Sequence, residues 1–75
     1  MDVNQAIEQA RADIKAGRDK EAGRLLSDAV AHSDPAQARE IKELAQQGRE
    51  MAGILGRGRW KELIRLADLR VSKAA

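Results

Sequence analysis

Gly17-Arg18-Asp19-Lys20-Glu21-Ala22-Gly23-Arg24-Leu25 returns 41 residues later as Gly58-Arg59-Trp60-Lys61-Glu62-Leu63-Ile64-Arg65-Leu66, with six of nine positions identical. In a chain of 75 residues this points to one helical-hairpin unit used twice. Self-similarity at such a period is the signature of helix pairs stacked side by side, and such stacks mostly bind other proteins.

The spacing of apolar residues predicts four helices. The first runs from about Val3 to Ala16, with Asp2 and Gln5 as a capping box and Val3, Ile7, Ala10 and Ile14 as an apolar stripe. Gly17 suits the left-handed stop that follows it. The second runs from about Asp19, a candidate N-cap, to His32, with Ala22, Leu25, Leu26, Ala29 and Val30 on one face. The very short connection between them predicts antiparallel packing. Ser33-Asp34-Pro35 is the clearest punctuation in the chain. Asp34 caps, Pro35 fits the first helical turn and Gln37 completes a second capping box. The third helix extends from Pro35 to Ala52 or Leu55, on the stripe Ala38, Ile41, Leu44, Ala45, Gly48, Met51, Ala52 and Leu55. Gly53, Gly56 and Gly58 end it, and the fourth covers about Arg59 to Val71. Trp60, Leu63, Ile64, Ala67 and Val71 share one face of that helix, while Leu66 and Leu69 fall roughly opposite. The expectation is an all-α single domain, residues 1–75, built from hairpins at about 3–32 and 35–71.

The first hairpin resembles a tetratricopeptide repeat. Ala10, Ala22 and Ala29 match the small residues at which that family's two helices cross, Leu26 matches a large core position, Gly17 the turn, and Asp34-Pro35 the end of the unit. The likeness covers about residues 4–35. The chain departs from the pattern at Ala6, near which the family places a large residue, and in its second copy, where Leu63 and Ile64 replace small positions and the offset exceeds the family's period. The resemblance implies a scaffold that holds peptides or proteins in a concave groove. The family's Lys and Asn cluster for acidic C-termini has no match on the first helix, where Asn4 and Lys15 stand far apart. A plain four-helix bundle or a dimeric helical hairpin is the alternative architecture.

Composition bounds the rest. The chain has no Cys, Phe or Tyr, one Trp and one His. Its core is therefore thin and Ala-rich, which allows close helix approach but buries little area per residue. Neither a disulfide nor a metal is expected to reinforce it, and oligomerisation or a partner is the remaining source of stability. No run reaches membrane-spanning length and no apolar stretch follows a basic start, so a cytoplasmic protein with no membrane partner is expected. Net charge is +2, divided as −2 over residues 1–35 and +4 over residues 36–75. The basic excess lies in Arg57, Arg59, Lys61, Arg65, Arg70 and Lys73, a distribution suited to an acidic partner or a phosphate backbone.

No catalytic or cofactor-binding constellation emerges. His32 stands alone at a helix end. Glu40 and Glu43 sit three apart among Arg39, Lys42 and Gln46, as on a solvated face. Ser27, Ser33 and Ser72 lack a nucleophile elbow or a nearby base. The segment Gly53-Ile54-Leu55-Gly56-Arg57-Gly58-Arg59 lacks the Lys-Ser/Thr ending and preceding strand of a phosphate loop. Its Arg57-Gly58-Arg59 looks like the core of an AT-hook but is followed by Trp60 and a helix, which favours a helix stop and a flexible turn. Trp60 either completes the core or stacks on a base while Arg57, Arg59 and Lys61 meet phosphates. The leading expectation is a non-enzymatic protein-binding module. Leu66 and Leu69, with Arg65, Arg70 and Lys73 at the rim, form its contact surface for another protein or a second copy. The alternative is a small nucleic-acid-binding protein that uses Arg57, Arg59, Trp60 and Lys61.

Overall fold

A computed structural model describes residues 2–54 and 56–72. Four helices account for most of them: α1 (Val3–Lys15), α2 (Asp19–Val30), α3 (Pro35–Met51) and α4 (Arg57–Ser72). The described residues contain no strand, and the all-α expectation holds. The stripe residue Leu55 and the rim residue Lys73 lie outside the described residues.

The start of each hairpin carries the same cap. The Gln5 backbone N–H donates to Asp2 Oδ1 at 2.7 Å, and the Asp2 N–H donates to Gln5 Oε1 at 3.0 Å. Gln37 and Asp34 repeat the exchange at 2.7 and 2.9 Å, with Pro35 in the first turn. Each box satisfies orphan donors that would otherwise need water. Gln37 Nε2 donates across to Asn4 Oδ1 at 3.0 Å, so the two capped starts lie side by side. Helices α1 and α3 thus run in the same direction from adjacent N-termini.

Several boundaries shift from the sequence reading, α3 stopping at Met51 and not at Ala52 or Leu55, and three of the shifts change how a residue is used. Asp19 is the first residue of α2 and not its cap; Arg18 occupies the cap position without a side-chain bond to the amides of α2. Asp19 and Glu21 nevertheless place negative charge in the first turn, where the helix dipole favours it. Helix α2 stops at Val30 and not at His32, because the His32 and Ser33 amides turn back onto the Ala29 and Val30 carbonyls at 3.0 and 3.3 Å. Helix α4 begins at Arg57 and not at Arg59. A tight turn, in which the Gly56 amide donates to the Gly53 carbonyl at 3.0 Å, completes the reversal early enough for Arg57 and Gly58 to enter the helix. Arg57-Gly58-Arg59 is therefore helical, not extended, and not a flexible turn. Gly17 is as expected: it follows α1 at φ +81°, which a side chain would resist.

Helices α1 and α2 form one hairpin and α3 and α4 the other. Helix α3 also touches both α1 and α2, α4 touches α2, and α1 and α4 make no close approach. A closed four-helix ring would bring first and last helices together; here the hairpins are stacked in register, in a slab with principal extents of 33 × 24 × 15 Å. The repeated sequence falls mainly on α2 and α4, the second helix of each hairpin, and burial matches at some of its paired positions but not at Asp19 and Trp60 or at Gly23 and Ile64. Ala22 and Leu63 are buried, Leu25 and Leu66 are half-buried, and the next pair, Leu26 and Ala67, is buried.

Half of the buried apolar set is alanine, and Ile7, Ile14, Leu26, Ile41, Leu44 and Leu63 supply most of the bulk. Trp60, only 2 % exposed, joins the hairpins. A Cβ on Gly48 of α3 would fall 2.5 Å from the indole, and one on Gly23 of α2 would fall 3.4 Å from it. The ring thus lies flush against bare backbone on α3, with α2 at ordinary contact distance.

This difference in clearance predicts opposite outcomes for two like substitutions. Gly48→Ala should destabilise the fold by about 1–3 kcal/mol despite the better helix propensity of Ala, because the indole or the helix must shift. Gly23→Ala should be neutral or stabilising by up to about 1 kcal/mol. Urea unfolding followed by circular dichroism measures both; equal effects would show that the indole does not set the α3–α4 spacing.

Candidate functional site

Helix α4 turns Trp60, Leu63 and Ala67 inward, and Leu69 projects from the opposite side at 48 % exposure. Leu66 does not share that position. It lies about 60° around the helix from Leu63, and the structure half-buries it against the core. The expected two-leucine patch is therefore one exposed leucine, Leu69, with the edge of a second beside it.

Of the expected rim, Arg65 and Arg70 are engaged within the molecule. Arg65 pairs with Glu62 one turn earlier, its Nε donating to Oε2 at 3.0 Å and its Nη2 to Oε1. This bond holds the Glu62 carboxyl below its ordinary pKa and raises that of Arg65. Both groups are exposed to solvent, so the pair orients two side chains on the surface. Arg70 is a tether. Its Nε and Nη2 donate to the Ser33 carbonyl at 3.2 and 2.8 Å, fastening the last turn of α4 to the α2–α3 connection. Ser33 is itself buried, with its hydroxyl donating to the Val30 carbonyl at 2.7 Å. Sequence reasoning missed this pair because its members stand 37 residues apart. On the other flank of α4, Lys42 Nζ meets Asp68 Oδ1 at 2.6 Å and ties α3 to α4.

The residues named for nucleic-acid contact separate. Arg57, Arg59 and Lys61 are exposed on the first turns of α4. Trp60, between them in sequence, is buried against Gly48 and Gly23 and has no free ring face on which a base could stack. Its place is in the core.

Two further polar contacts are structural, at the α1–α2 turn and between α1 and α3. Asp13, 4 % exposed, accepts from Gln9 Nε2 at 3.1 Å and from Arg18 Nε and Nη2 at 3.2 and 3.0 Å. The Arg18 amide also donates to the Asp13 carbonyl at 2.7 Å, so this pair locks the α1–α2 turn. Glu40 lies 3.6 Å from Arg11 of α1 and serves the hairpin junction. Among the described residues no three His, Cys, Asp or Glu side chains converge as metal ligands, and no helix is long and apolar enough to cross a membrane. No family model matches the chain, and no curated protein or solved structure is significantly similar to it.

Arg70→Ala should lower stability by about 1 kcal/mol through loss of the charged bonds to Ser33, whereas Arg65→Ala should change it little. Thermal unfolding of the two variants checks the distinction; equal, negligible effects would return Arg70 to the surface rim.

Proposed function

We propose that this chain is a non-enzymatic protein-interaction module that engages another protein, a second copy included, through the outer face of α4. The observation that carries the reading is Leu69, a large apolar side chain set opposite a buried stripe on a helix otherwise polar on that side. Leu69 stands on a face where a surface helix needs no apolar group. Leu66 extends the apolar area at its edge, and Glu62 and Arg65 supply both signs of charge beside it. That combination is self-complementary, because a second copy approaching about a two-fold axis can exchange Glu62–Arg65 partners. Arg70 lies nearby as part of the supporting structure.

The architecture fits the same reading. Two hairpins stacked in register, with burial that matches at some paired positions of α2 and α4, are consistent with a tetratricopeptide-like pair of repeats, an arrangement suited to presenting helix faces to partners. A cytoplasmic location belongs to the same proposal, and the lack of Cys is compatible with it. The second reading, nucleic-acid binding, keeps the exposed Arg57, Arg59 and Lys61 and proceeds without base stacking by Trp60.

Molar mass by light scattering after size exclusion, taken over a wide concentration range, tests the proposal with Leu69→Ser as the variant. Leu69 is exposed, so the substitution should leave the fold intact. Association that weakens about tenfold in the variant supports the α4 face. A parent and variant that behave alike, both in self-association and in capture of partner proteins, remove it.

A further inference from the structure

The end of the slab that carries the α3–α4 turn combines two features that the α4 face does not use. Ile54 is 87 % exposed and Met51 44 % exposed, so the turn holds two of the large apolar side chains that the fold leaves in solvent. Lys20 and Arg59 line the same open groove as Ile54, together with Asp19. Arg49 and Arg57 line a second groove with Glu50, at the end of α3 and the start of α4. None of these four cations has a carboxylate oxygen within 4.0 Å among the described residues. Lys20 reaches this end from the first hairpin and the three arginines from the second, so only the folded stack assembles the group.

We infer that this end docks peripherally on an anionic lipid surface. Ile54 enters the headgroup–acyl boundary, and Lys20, Arg49, Arg57 and Arg59 meet the phosphates around it. The chemistry requires both components. Electrostatic attraction by a handful of cations holds a protein near an anionic leaflet, and one inserted aliphatic side chain adds the short-range part; neither suffices alone. A nucleic-acid backbone answers the cations but has no hydrocarbon layer beneath its phosphates for an aliphatic tip, and the side chain able to stack on bases is buried. An acidic protein lacks the same layered character. A peripheral contact needs no spanning helix, and in this the inference departs from the sequence-based expectation of no membrane partner.

Flotation of the full chain with vesicles tests this. The probes are phosphatidylcholine vesicles containing about 30 mol % phosphatidylserine, and vesicles of phosphatidylcholine alone. Binding is expected to the first and not to the second, and should fall steeply with added salt. Ile54→Ser should weaken it about tenfold, as should the pair Arg57→Ala with Arg59→Ala, while Leu69→Ser should leave it unchanged. All substituted side chains are exposed, and circular dichroism verifies that helicity is kept. The inference is overturned if the parent ignores anionic vesicles, if Ile54→Ser binds them as tightly as the parent, or if duplex DNA is bound more tightly than vesicles and without regard to Ile54.

Discussion

The contact between Trp60 and the bare backbone of Gly48 organises this molecule. Alanine-rich helices bury little area each, and two short hairpins have correspondingly little to hold them together. One indole changes that balance. It is the largest side chain in the core, it comes from α4, and it is received by α3 within its own hairpin and by α2 across the junction. The missing Cβ at Gly48 sets how closely α3 and α4 approach; the smaller demand at Gly23 lets α2 close over the ring. The polar ties between hairpins, Arg70 to Ser33, Gln37 to Asn4 and Arg11 to Glu40, then fix a register that the indole has already brought near.

The sequence discloses most of this where the determinants are local. Both capping boxes were readable because Asp and Gln three residues apart bond within a single turn, and Asp34-Pro35 leaves the backbone little choice. Gly17 was readable for the same reason. The α4 start was not, since three glycines within six residues offer several places to stop, and the choice depends on how the chain must reverse to deliver Trp60 to its notch. Asp19 looked like a cap, but the Asp13–Arg18 lock sets the turn one residue earlier. These are tertiary decisions written in local letters.

The candidate surface was legible to a similar degree. Leu69 was placed correctly by helical periodicity, whereas Leu66 was misjudged because the wheel does not say how wide a sector the neighbouring helices cover. Arg65 and Arg70 looked alike in sequence, and their partners separate them: a carboxylate one turn away in the same helix for one, a carbonyl on a distant connection for the other. The assembly of Lys20 with Arg49, Arg57 and Arg59 was hidden, because charge counted along the chain assigned the first to an acidic half. Stacking the hairpins in register moves it to the opposite side of that ledger.

The solitary aromatic ring has an optical consequence. With no Phe or Tyr in the chain, near-ultraviolet absorption and intrinsic emission come from one chromophore, and that chromophore sits at the seam between the hairpins. Far-ultraviolet dichroism reports helix content throughout the chain, while the colour of the indole emission reports the dryness of a single joint. The two signals are physically independent, so this small protein carries a built-in spectroscopic distinction between hairpins that have come apart and helices that have melted.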